Sequence, residues 1–242
     1  MILETFTRLL ETHCTPALVR AAREDPAAAD PLDAEIAASG FRDVLMPESL
    51  GGAGLTLAEF APLAMVAGAF LLPVPFARPA IERATGKSLT PDAMTALGAG
   101  RMAGVCRRLL DMTIVHVSTR TQFGRPLGAF QAIQHQVSVM AEEVAAATLA
   151  AHIGLRGPGF TPERSAIAGL RSSEAADVIC AAAHQLHGAI GATAEFDLHL
   201  WTAELRLLQR AYGTASAHAL QLGRARASTE LPSLGFVERI LE

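Results

Sequence analysis

With 242 residues, half of them apolar, the chain is long enough to bury a sizeable core in one or two domains, which rules out disorder as its bulk state. Its 20 basic and 24 acidic residues leave a formal charge of -4, and Lys87 is the sole lysine, so no basic field for nucleic acid is present. Cys14, Cys106 and Cys180 stand apart without CxxC spacing, and the chain opens on polar residues rather than a signal-like apolar run, so a cytoplasmic setting is expected.

Aromatics are scarce and alanine recurs throughout, a composition suited to close-packed helices, so the expected fold is all-α. Short helices are expected at 2–12, 17–24 and 33–38, ahead of Met46-Pro47-Glu48 and a glycine turn at Gly51-Gly52-Ala53-Gly54. Thr56 and Glu59 have capping-box spacing and open the next helix. The apolar run 60–76 carries Pro62, Pro73 and Pro75 and falls short of a membrane span, so no membrane contact is expected. It reads as a buried helix and exit loop that ends an N-terminal helical domain, 1–76. Residues 77–94 show neither alternating strand pattern nor hairpin dipeptide and form a connector.

A C-terminal four-helix bundle is expected over 95–227. Met102, Cys106, Leu109, Leu110, Thr113 and Val117 make one stripe at helical period. After the Gly124-Arg125-Pro126 break, Ile133, Val137, Met140, Val144, Thr148 and Ala151 repeat that spacing on a second helix, antiparallel to the first. A third helix over 162–186 should turn Ile167, Leu170, Cys180 and Ala183 inward and end at the His187-Gly188-Ala189-Ile190-Gly191 loop. A fourth, from about Asp197, carries Leu198, Trp201, Leu205 and Leu208. The tail, 228–242, has an apolar run (Leu234, Phe236, Val237, Ile240, Leu241) expected to order only against a partner. The scattered histidines show no ligand spacing, and no metal site is expected.

Two segments stand out chemically. Arg120-Thr121-Gln122-Phe123-Gly124-Arg125-Pro126-Leu127, followed by Phe130-Gln131, sets a dense polar group on a tight break. Gln185-Leu186-His187-Gly188-Ala189-Ile190-Gly191 puts glycines at a helix end. Together they resemble the flavin-binding signatures of acyl-CoA dehydrogenases, and the Pro-Glu, Gly-Gly-x-Gly, helix order of the N-terminal third is similar to that family's first helical domain. The resemblance covers about 1–76 and 93–225. It implies a chain whose middle β domain, on the order of 100 residues in a full-length member, is replaced by the 77–94 connector.

The resemblance further implies which residues meet the cofactor. Arg120 and Phe123 stand where the family reaches the pyrophosphate and adenosine of an FAD held mainly by the neighbouring subunit, and Gln131 where it contacts the adenine side. Gln185, Gly188 and Gly191 match the second FAD element, with Ala189 replacing its middle glycine. Thr214 remains a candidate on the adenine side. The family's catalytic base is missing: Tyr212 precedes Gly213-Thr214 where a glutamate is expected, and the alternative position falls at or near Met94, with no glutamate between Arg83 and Val139. A phenol of ordinary pKa about 10 is a poor base near neutral pH.

What is kept is the half of an FAD site that one subunit lends to another. The implied role is a subunit without its own base, sharing FAD with a full-length acyl-CoA dehydrogenase partner in an oligomer that acts on an acyl-CoA. Pro73-Val74-Pro75-Phe76 is similar to members associated with bacterial steroid side-chain breakdown. An alternative stands beside it: a nonenzymatic scaffold or regulatory homodimer of the same fold that binds no flavin.

Overall fold

The computed structural model describes residues 1–241. Three short helices, α1 (Ile2–His13), α2 (Pro16–Glu24) and α3 (Asp30–Ala38), lead to α4 (Leu57–Ala69), whose start carries the capping box: Thr56 Oγ1 accepts from the Glu59 amide, and the Glu59 carboxylate accepts from the Thr56 amide at 2.9 Å. The exit loop brings Phe76 back onto the first helix, stacked on Phe6 at 4.7 Å between centroids and on Phe60 at 5.5 Å. Those contacts anchor the connector, which forms a helix of its own, α5 (Ala77–Thr85).

Next comes α6 (Pro91–Thr119), which begins four residues before the expected Thr95 because Thr90 Oγ1 accepts from the Ala93 amide and Pro91 supplies a preset first-turn φ. Its stripe is as expected: Met102, Cys106, Leu109, Leu110, Thr113 and Val117 are all buried. Between α6 and α7 (Gln131–Gly154) lies a minimal antiparallel hairpin of β1 (Thr121–Gln122) and β2 (Arg125–Pro126). The helical tally is completed by α8 (Pro162–His187), α9 (Leu198–Tyr212), α10 (Ala215–Ala227) and α11 (Ser233–Leu241). The fold is all-α apart from that hairpin, and no described helix is long and apolar enough to cross a membrane.

Three features differ from the sequence expectation. On α8 Cys180 and Ala183 are buried as expected, but over the first half the inward surface is small rather than bulky: Ala166, Ala168, Gly169, Ser172, Ser173, Ala175 and Ala176 are buried, whereas Ile167 and Leu170 are only half-buried. α8 packs against both α6 and α7, and small side chains let the three backbones approach. The fourth wall of the bundle is divided at Gly213, α9 leaning mainly on α6 and α10 on α8, because the Gly213 φ of +108° breaks the helix. Finally, the tail needs no second chain for order: α11 packs Phe236 and Ile240 onto this protein's own bundle, and Arg239 pairs with Glu163 at 3.6 Å.

The apolar core runs without interruption from Phe6 to Leu208. Its joint is the crossing of α4 on α6, where a β-carbon on Gly68 would overlap the Arg101 carbonyl oxygen and one on Gly104 the Met65 carbonyl oxygen. Trp201 of α9 closes the same joint by donating its indole N–H to the Ala69 carbonyl at 2.8 Å.

Candidate functional site

The end of α6, the hairpin, the first turns of α7 and the end of α8 enclose a cavity of about 780 Å³. Arg120, Gln185 and Gly188 line it together, joined by residues that motif reading passed over: His116, Gln122, Gln136 and His187. His116 lies one helical turn before Arg120, on the same face, and His187 directly precedes Gly188. Those offsets were the available signals. No Asp or Glu is among the lining residues, so a guanidinium, three side-chain amides and two imidazoles converge without a neutralising acid.

The remaining candidates are distributed around this cavity. Phe123 and Gly124 form the two-residue hairpin turn, with φ of +53° and +78°. A left-handed pair matches the twist of a hairpin and favours Asn-Gly, so a phenylalanine there bears strain on the order of 1–2 kcal/mol. Its ring is 86% exposed, with only an edge contact to Phe130 at 6.2 Å. Strain borne by an exposed aromatic points to use of the ring outside this fold. Replacing Phe123 by asparagine is expected to leave thermal stability equal or higher by about 1 kcal/mol; a lower melting temperature would show that the ring serves the fold instead.

Gln131 is exposed at the first residue of α7. Gly191 is buried and lines not this cavity but a separate one with Cys180, His184 and Thr202; an added β-carbon there would lie 2.8 Å from His187 Cβ. Gly188 has a φ of +63° and open space around its missing side chain. Ala189 does not have positive φ, so the alanine that replaces a family glycine carries no backbone strain. Thr214 is not among the lining residues: its hydroxyl accepts from the Ala217 amide and caps α10.

The two positions where a base is looked for face each other across a second cavity, of about 310 Å³. Tyr212 and Met94 both line it, with Gly98, Arg101, Val74 and Phe76, and no lining residue is a carboxylate. The Tyr212 ring lies on Gly98, where any side chain would collide with it. Glu204, the nearby acid, is held by Arg101 at 2.8 Å and Arg23 at 3.9 Å. Thiols offer no alternative nucleophile, since burial pushes Cys14 up to about 12 and Cys180 to about 11, and raises Cys106 as well. Among the described residues no three metal-binding side chains come together.

A family model described as the acyl-CoA dehydrogenase C-terminal domain matches residues 92–227, more than half of the chain. The chain belongs to the acyl-CoA dehydrogenase family. Acyl-CoA dehydrogenase IpdE2 of Mycolicibacterium smegmatis is 26% identical, covering 89% of this chain and 92% of that protein. That alignment runs over 298 positions, more than this chain has residues, so the relative carries segments without a counterpart here. IpdE2 of Mycobacterium tuberculosis is 36% identical over 51% of this chain, which spans only 36% of that relative. In fold, the chain is similar to a variant of the Tcur3481-Tcur3483 steroid ACAD (TM-score 0.81, 19% identity, 93% of this chain and 96% of that one). It is also similar to a chain of the ChsE4-ChsE5 complex from Mycobacterium tuberculosis (TM-score 0.76, 17% identity, 95% and 97%).

Members of this acyl-CoA dehydrogenase family use FAD, and the first cavity fits the diphosphate end of such a cofactor. Its walls supply a guanidinium fork and amides without an acid, its glycine loop leaves an open approach, and it contains a buried imidazole nitrogen, His187 Nε2, that has no partner within the fold.

Proposed function

We propose that this chain is a subunit of a hetero-oligomeric, FAD-dependent acyl-CoA dehydrogenase that lends the adenosine and pyrophosphate half of the FAD site and supplies no catalytic base. Arg120 grips the diphosphate, Phe123 reaches out from the hairpin toward the cofactor, Gln131 and Gln185 offer amides, and Gly188 and Gly191 let the loop come close. Thr214 serves the same end only indirectly, by setting the start of α10. A full-length dehydrogenase partner would supply the flavin-ring pocket, the base and the acyl-CoA contacts. When bound, FAD accepts the electrons of the α,β-dehydrogenation.

The observation that carries this reading is the contrast between the two cavities. One keeps cationic and amide donors suited to an anionic cofactor tail; the other, where a base would stand, holds Tyr212 and Met94 and no carboxylate. The fold likeness to chains of the Tcur3481-Tcur3483 steroid ACAD and the ChsE4-ChsE5 complex supports a two-protein assembly and a steroid-derived acyl-CoA as the substrate class.

Co-expression with a full-length acyl-CoA dehydrogenase from the same source is the test. The expected product is a yellow complex that oxidises an acyl-CoA, while this chain alone does not. Calorimetric titration with FAD of both the chain and the complex, showing no binding in either, would overturn the proposal in favour of a flavin-free scaffold.

A further inference from the structure

Two imidazoles on the nucleotide cavity have no role in the reading above. His116, from α6, and His187, the last residue of α8, stack with centroids 4.3 Å apart and planes 27° from parallel. Phe196 packs against them, 5.0 Å from His187 and 6.3 Å from His116. His187 is 5% exposed, and its Nδ1 lies 2.8 Å from the Ala183 carbonyl oxygen. A carbonyl only accepts, so Nδ1 carries the hydrogen, and in the neutral ring Nε2 is a bare lone pair. That Nε2 is fully buried and, among the described residues, has no hydrogen-bond partner.

The surroundings keep the pair neutral. From α6 the charged neighbour is Arg120, and from α8 the titratable one is His184, whose Nε2 is 3.2 Å from the Thr202 hydroxyl oxygen. α7 presents Ala132, Ile133 and Gln136 to the cavity, none of them titratable. Around the following turn, Glu195 is exposed, Asp197 is engaged by Arg20, and His199 is bonded through Nδ1 to the Phe196 carbonyl. Burial holds both His116 and His187 below the usual imidazole range; Arg120 pushes His116 the same way, as His116 and His184 do His187, against the bond to Ala183, which favours the charged His187 ring.

We propose that His187 and His116 make occupancy of this cavity proton-linked. A diphosphate arriving at the cavity wall that His187 helps to form favours the charged ring, and one proton is taken up at the orphaned Nε2. The inference rests on the nucleotide-tail reading of the cavity. The sign follows from linkage: an anion beside His187 raises its pKa in the occupied state above that in the empty state, so binding tightens as pH falls between the two values. A single coupled proton limits the gain to about tenfold per pH unit. His116 acts through His187, as a second imidazole whose charge would oppose charge on the first while the cavity is empty.

The test uses the full chain and ADP-ribose, whose diphosphate is a diester and does not itself titrate near neutrality. Imidazole ¹H–¹⁵N spectra, followed across pH with and without millimolar ADP-ribose, should show the His187 midpoint below the usual imidazole range in the free chain and raised when the probe binds. His116→Phe keeps the stack and should raise the free-chain midpoint, whereas His187→Gln should abolish the pH dependence of ADP-ribose affinity. If the probe perturbs Arg120 and Gly188 signals but the His187 midpoint stays put, proton linkage is refuted and the nucleotide reading survives. If the probe perturbs none of these groups either in the chain or in its complex with the partner subunit, both fall.

Discussion

Replacing Arg120 by alanine is expected to strip most of the FAD from the assembled dehydrogenase while leaving the fold intact. Arg120 sits at the C-cap of α6, where its backbone does the structural work: its amide donates to His116 O at 2.9 Å and its carbonyl accepts from the Leu127 amide at 2.9 Å. The guanidinium is exposed and, among the described residues, makes no ion pair or hydrogen bond. Truncation should therefore change the stability of the isolated chain by no more than about 0.5 kcal/mol. A charge-assisted, forked contact to a diphosphate contributes about 2 kcal/mol, so FAD should bind roughly thirty-fold more weakly. The FAD-to-protein ratio after gel filtration, with a titrated dissociation constant, measures this. An unchanged ratio would remove the cavity from consideration as the cofactor site.

The largest stability effect is expected at the crossing of α4 on α6. In Gly104→Ala the new methyl meets the backbone carbonyl of Met65, an obstacle that no side-chain rotation can relieve, so the helices must separate. A cost of about 3 kcal/mol is expected, lowering the melting temperature by roughly 6–12 °C in a domain of this size. Gly223→Ala is the matched control: on α10 nothing lies within 4 Å of the added methyl, so higher helix propensity should stabilise the chain by roughly 0.5–1 kcal/mol. Thermal unfolding followed by far-ultraviolet circular dichroism compares the two. Equal melting temperatures would mean that the close approach of α4 and α6 is not a rigid feature of the protein.

Periodicity was informative wherever a helix buries bulk on one side. The α6 stripe could be read directly in its second half, where Leu109, Leu110 and Val117 contrast with polar Arg107, Arg108, Asp111 and His116. On α8 periodicity held for Cys180 and Ala183 but not for Ile167 and Leu170, because the first half of that helix is enclosed on more than one side and buries alanine, glycine and serine, residues whose spacing carries little hydrophobic signal. Capping chemistry was legible at Thr56 because the glutamate three residues on completes a reciprocal pair, whereas no such pair marks Thr214, a candidate on the adenine side whose hydroxyl caps α10. In the candidate site, Arg120, Gln185 and Gly188 could be picked out because each lies in a dense motif. His116 and Gln136 could not: they sit in ordinary helical sequence, and only the antiparallel return of α7 and the end of α8 brings them to one cavity. The convergence of Met94 and Tyr212 is likewise a product of folding, since more than a hundred residues separate them along the chain.

Trp201 is the sole tryptophan, 3% exposed, and it ties α9 to the last turn of α4. The protein thus carries its one tryptophan fluorophore at the seam between its N-terminal helices and its bundle, with the Arg108 guanidinium 5.6 Å above the ring. Opening of that seam exposes the indole to water and moves its emission to longer wavelength, even where every helix survives. Fluorescence and circular dichroism therefore report different events in this molecule, and any gap between their transitions measures how independently the two sets of helices hold together.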